Sequence, residues 1–167
     1  SEETSGLSAL YAASCALQQG RIDCAVVGAV DLTGDVRSLI SIESTGGLAK
    51  PNDFGPFREH SEGVLPSDGA VALVLKRTAD AERDGDRMYA IVRAIGTAGG
   101  DPGYPDFGSP ASDSPSAGSS IEEAIRRSCD DADVAARDLP YVAVHGSGIG
   151  RRDRPEMTAL SEAFGPD

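Results

Sequence analysis

At 167 residues, the chain is long enough to bury a sizeable core as one domain. With 40% hydrophobic residues, no tryptophan and no long apolar run, it reads as a globular protein without a membrane span. Its formal net charge of −12 disfavours nucleic acid or an anionic membrane surface as a partner.

The start, "SEETSGLSAL", lacks the basic-then-apolar pattern of a secretory signal. Residues 7–19 read as a helix, with Leu7, Leu10, Tyr11, Ser14 and Leu17 along one stripe. Alanines pack between them, Gly20 supplies the stop, and Thr4 or Ser5 is the candidate cap. "DCAVVGAVD", 23–31, is a continuous apolar run of strand length, as expected where both faces of a strand are covered. A polar-to-apolar stretch follows near 34–43, and "ESTGGLAKPNDFGPFREHSEG" is rich in breakers and reads as loop.

"GAVALVLKR", 69–77, is a second buried strand, and "TADAERDGD" a short helix and turn with Thr78 as its cap. "MYAIVRAIGTA", 88–98, reads as a long strand making a hairpin-like pair with 69–77. The Gly/Pro/Ser/Asp stretch 99–120 is a loop of disordered composition. "SIEEAIRRSCDDADV" is an amphipathic helix capped by Ser120, and 141–144 is a strand. Asp153, Pro155 and Glu156 mark the last helix start: a cap, an early proline and a glutamate reaching back as in a capping box. Helices alternating with buried strands make the fold class α/β.

Cys15, Cys24 and Cys129 form no close pair, which argues against a disulfide framework or zinc knuckle and fits a reducing cytosol. His60 and His145 lie far apart and make a poor metal site. Around His145, "YVAVHGSGIGRRDRPEMTAL" runs from strand through Gly-rich turn to helix, where free N–H groups converge into an anion or ligand site. The glycines miss the dinucleotide pattern G-x-G-x-x-G because residue 151 is arginine. "GSGIG" has serine second rather than third, so it is no serine-hydrolase elbow. A structural imidazole stays open beside a catalytic one.

"HGSGIGRRDRPEMTAL" resembles the HGTGT-x-x-GD-x-x-E-x-x-AL segment of β-ketoacyl synthases, the condensing enzymes of fatty-acid and polyketide synthesis. "PFREHSEGVLPSDGAVALVLKRTADAERDGDRMYAIVRAIG" and "ALQQGRIDCAVVGAVDL" resemble further runs of that family, in its order and over nearly the whole chain. The resemblance puts His145 on the motif's catalytic histidine, Ser147 and Ile149 on its threonines, and Asp153 and Glu156 on its acidic pair. It implies a thiolase-like α/β fold, a mixed sheet covered by helices and incomplete relative to the full condensing-enzyme fold. Residues 1–167 would then be an internal segment of one ketosynthase-like domain: 1–98, a flexible loop 99–120, and 121–167 with the histidine turn.

In that family the nucleophilic cysteine starts the helix, four residues before its first leucine, where the positive helix end favours a thiolate. Here that place holds Glu3; Cys15 lies three turns further on and Cys24 in a strand. A carboxylate there stays ionised and cannot be transacylated into a stable thioester. This resembles the non-condensing chain-length-factor domains of polyketide and polyunsaturated-fatty-acid synthases. The alternative register makes Glu2 and Glu3 ordinary first-turn acids. The family's second histidine, in a later N-x-x-H segment, has no counterpart here; His60 reads as a solvated loop residue.

The resemblance further implies substrates on the phosphopantetheine of acyl carrier protein, no metal or redox cofactor, and a cytoplasmic location. It also implies a ketosynthase partner, or the remainder of the same domain, within a dimeric parent. Arg151, Arg152 and Arg154 are candidates to meet a phosphopantetheine phosphate or an acidic carrier, against a solvated helix start. Three readings stay open: a non-condensing partner domain, a fragment of an active β-ketoacyl synthase, and a stand-alone binding module that keeps part of the scaffold. The last would leave open sheet edges and apolar surface.

Overall fold

A computed structural model describes residues 4–45, 47–50, 55–58, 61, 63–99 and 116–165. The chain divides into two compact units, Ser1–Thr33 with Ser67–Val92, and Gly34–Pro66 with Arg93–Asp167.

In the first unit, α1 (Ser5–Gln18) precedes β1 (Cys24–Asp31), and β2 (Gly69–Lys76) leads into α3 (Thr78–Asp84). The helix α1 stops where expected. Gly20 takes φ 67, so its N–H reaches the Leu17 carbonyl and the Arg21 N–H the Ala16 carbonyl, both at 3.0 Å. β1 and β2 pair antiparallel from Cys24↔Lys76 to Asp31↔Gly69. α1 packs on one face of this ribbon, burying Leu17 and Val27. A Cβ on Gly6 would lie 2.9 Å from that of Ala29, so helix and strand approach closely there.

Two expectations change here. β2 pairs with β1, not with 88–98. Nor are both faces covered: Val26, Val30 and Val74 are 74%, 69% and 73% exposed, because a two-stranded ribbon under one helix hides only alternate residues. Arg77 ties the unit's ends together. Its Nη1 donates to the Leu17 and Ile22 carbonyls at 2.9 and 2.7 Å, and its Nη2 to Asp23 at 2.6 Å. Arg77, not Thr78, is the N-cap of α3, and Gly85 closes that helix in the left-handed region.

In the second unit, α2 (Val36–Thr45) fills the unassigned stretch near 34–43. Its start is capped by Asp35, whose Oδ1 accepts the N–H of Arg37 at 2.7 Å and of Ser38 at 3.2 Å. A parallel bridge joins Leu48 to Val64 within the breaker-rich region. α4 (Ser116–Ala132) packs against α5 (Gly150–Phe164), with a 3-10 turn at Ala136–Asp138 between them. α4 begins at Ser116, so Ser120 is an interior residue rather than a cap.

No ladder includes 88–98 or 141–144 among the described residues. A strand needs a hydrogen-bonded neighbour, and part of 88–98 bonds to a helix instead. Gly96 donates to Ser128 Oγ at 2.8 Å, Arg127 to the Thr97 carbonyl at 2.7 Å, and Arg93 to the Ala132 carbonyl at 2.6 Å. The segment 141–144 is exposed, Tyr141 at 81%, against the buried strand expected. No helix among the described residues is long and apolar enough to cross a membrane. Of the loop expected at 99–120, residues 100–115 lie outside the described residues.

Candidate functional site

The histidine turn lies within the second unit, between the extended 141–144 and α5. Gly146 and Gly148 take φ 54 and 79, where only glycine sits without cost, and they fold the backbone back over the helix start. Its N–H groups then face α5, and two carboxylates one and two turns into that helix receive them.

Glu156 Oε1 accepts the His145 N–H at 2.7 Å, and its Oε2 the Gly146 N–H at 3.0 Å. Asp153 Oδ1 accepts both the N–H and the hydroxyl of Ser147 at 2.7 Å. Asp153 Oδ2 accepts the N–H of Gly148 at 3.2 Å and of Phe57 at 3.0 Å. Ser147 Oγ also accepts the Ile149 N–H at 3.1 Å, and the Gly150 N–H reaches the Ser61 carbonyl at 3.2 Å. Every backbone N–H from 145 to 150 is therefore occupied.

This corrects the expectation of an anion or ligand site made of free N–H groups. The chain's own carboxylates fill the position an external anion would take, and displacing them would bare buried charge. The turn holds its own backbone rigidly instead. Asp153 is 2% exposed. Burial pushes its carboxyl up, but the bonds from Phe57, Ser147 and Gly148 outweigh that and hold it below the usual carboxylate value.

The helix start is also corrected. Ile149 is the N-cap of α5, so Asp153 is its fourth residue and Pro155 its sixth, inside the helix. The two acids act as reach-back ligands of the turn rather than as cap and capping box, because the helix begins a turn earlier than the motif suggests. Arg151 and Arg154 are exposed and Arg152 is half-buried.

His145 stands exposed at the end of the extended segment. Ser147, Asp153 and Glu156 converge on the turn that carries it. Glu3 and His60 lie outside the described residues. Among the described residues no His, Cys, Asp and Glu cluster could hold a metal.

Sequence reasoning missed Phe57 and Ser61. Phe57 contributes a backbone N–H, which no side-chain pattern reveals. Ser61 is 2% exposed inside a breaker-rich loop and donates its hydroxyl to the Gly148 carbonyl at 2.8 Å. A small polar residue in such a loop carries no signal of burial. Gly146 had a legible glycine, but its reason is tertiary: a Cβ there would lie 2.8 Å from Pro56 Cβ.

Comparison with known proteins identifies the family. The model of the β-ketoacyl synthase N-terminal domain matches residues 1–81 and that of the C-terminal domain residues 89–167. The hybrid PKS-NRPS synthetase TAS1 of Pyricularia oryzae is 34% identical over 96% of this chain, which spans 9% of that protein. The ketosynthase from module 6 of the bacillaene synthase of Bacillus subtilis superposes with a TM-score of 0.78 at 30% identity, over 96% of this chain and 28% of that one. The oxazolomycin ketosynthase domain OzmH KS7 of Streptomyces albus gives 0.80 at 30% identity, over 98% and 28%. The fold is thus the thiolase-like α/β fold, of which this chain holds a part. Matched along nearly its whole length by the two halves of one family, the chain belongs to the β-ketoacyl synthases, as a ketosynthase-like segment of the polyketide-synthase kind.

Proposed function

We propose that this segment serves a polyketide synthase as a non-condensing domain of the chain-length-factor type, handling acyl chains carried on acyl carrier protein. One observation carries the reading: a fully bonded histidine turn coexists with a glutamate, Glu3, where the family resemblance puts the nucleophilic cysteine. The turn keeps the family's scaffold for a carrier-bound thioester, while a glutamate in place of the cysteine offers no thiolate to receive the chain. His145 would face the substrate, with Ser147, Asp153 and Glu156 supporting the turn. The substrate arrives on phosphopantetheine, and the reading needs no metal or redox cofactor of the domain's own. Pairing with an active ketosynthase would supply the missing cysteine. Three free cysteines fit a reducing cytoplasm.

A stand-alone binding module would leave Val26, Val30 and Val74 in water, which disfavours that reading. The test is acyl loading of the polypeptide that carries this chain, mapped by mass spectrometry. Incubated with an acyl thioester, the native protein should carry no acyl group on this segment, and Glu3→Cys should gain one at residue 3. Acylation of the native segment, with turnover of a malonyl thioester, would decide for an active β-ketoacyl synthase.

A further inference from the structure

We infer that Ser61 is a positioning residue for the histidine turn, fixing the side of the turn that the two carboxylates do not reach. It lies 87 positions before Gly148 and is 2% exposed. A serine hydroxyl has one proton to give, and Ser61 gives it to the Gly148 carbonyl at 2.8 Å. Its oxygen accepts the Gly55 N–H at 3.3 Å, and its own carbonyl accepts the Gly150 N–H at 3.2 Å. These bonds straddle Ile149, which is 6% exposed and is the N-cap of α5. Ser61 thus grips the residue from which the helix springs, and that helix carries Asp153 and Glu156. A shift at this cap would carry both carboxylates away from 145–148.

A second contact of the same loop points the same way. Phe57 takes φ 60, a left-handed backbone that a bulky residue holds only where its surroundings compel it. Those surroundings are the bond from its N–H to Asp153 and its packing, with Pro56, over Gly146. Residues 55–58 and 61 are therefore joined to 145–153 at Ser61 and at Phe57, which couples the opening of one to that of the other. Ser61 acts through the turn and touches no substrate. Its importance for chemistry rests on the reading above, in which His145 faces a carrier-bound chain.

The experiment is residue-resolved amide hydrogen exchange on the polypeptide that carries this chain, with the His145 ring protons followed by NMR. In the native protein the amides of Phe57, Ser147 and Gly150 should exchange through one opening with a common denaturant dependence. Ser61→Ala should raise exchange at Gly148 and Gly150 about tenfold, the equivalent of one ordinary hydrogen bond, and move the His145 ring signals. The amides of β1 and β2 should be unchanged. Separate openings in the native protein overturn the inference, and they do so even if Ser61→Ala fails to fold. Unmoved His145 signals, or a uniform rise in exchange throughout the chain, overturn it as well. Acyl loading can fail while this pattern holds, so the two ideas stand or fall separately.

Discussion

The Asp153 carboxylate accepts the Phe57 N–H at 3.0 Å, across 96 positions of chain. The same side chain takes Ser147 and Gly148, so one buried acid ties a loop, a turn and a helix together. Its ionised form is what these donors require.

Replacing Asp153 by asparagine should therefore cost about 3 kcal/mol, as expected when charge-assisted bonds to a buried group are lost. Whichever way the amide turns, its NH2 meets two donors, either those of Ser147 or those of Phe57 and Gly148. Urea denaturation of the polypeptide that carries this chain checks the value. A loss below about 1 kcal/mol would mean the four bonds are not made together in solution.

Acid should loosen the turn by the same route. The folded Asp153 carboxyl sits below its usual value: burial raises it, and the bonds from Phe57, Ser147 and Gly148 lower it further than burial lifts it. Its contribution is thus complete above the unfolded value of about 3.9 and is lost as pH falls through the lower folded value. The Asp153 side-chain carboxyl carbon signal should stay flat from neutral pH to about 4 and move only below it. In the other unit, Arg83 and then Lys76 hold the Asp84 carboxyl down to about 2. A carboxyl NMR titration should find that group still ionised at pH 3.

Two glycines of similar backbone should respond differently to alanine. Gly20 has φ 67 and nothing within 4 Å of an added Cβ, so Gly20→Ala should cost only the left-handed strain, about 1 kcal/mol. Gly146 has φ 54 and would place its Cβ 2.8 Å from Pro56 Cβ and 3.2 Å from Phe57 Cε2. Gly146→Ala should cost about 3 kcal/mol, strain plus overpacking. Equal midpoint shifts in denaturation would show that the loop does not press on the turn.

Arg77→Lys should destabilise the first unit although charge is kept. One ammonium cannot span the Leu17 and Ile22 carbonyls and the carboxylates of Asp23 and Asp80 that the guanidinium fork serves together. Faster amide exchange confined to the C-terminal turn of α1 and the start of β1 would confirm it. Unchanged exchange there would reduce Arg77 to a surface charge.

Much of this was legible in the residues themselves. The leucine and alanine stripe ending at Gly20, and the apolar runs 24–31 and 69–76, announce a helix and two strands because their signals lie within a few residues. The glycines and acids around His145, with the other motifs in order, marked the family. The helix start there misled, because Asp153 and Glu156 resemble caps by spacing while serving a turn that folds back over them.

The sequence by itself determined the family and the elements α1, β1, β2 and α3, read from motif order and local periodicity. Only the tertiary structure decided that β1 pairs with β2, that 93–97 lies against α4, and that Phe57 and Ser61 brace the histidine turn. The physical reason is range. Periodicity reports which face of an element is apolar, but a ladder partner or a backbone donor is chosen by which distant segment arrives alongside. The N–H that completes Asp153 belongs to a residue whose side chain has no part in the bond.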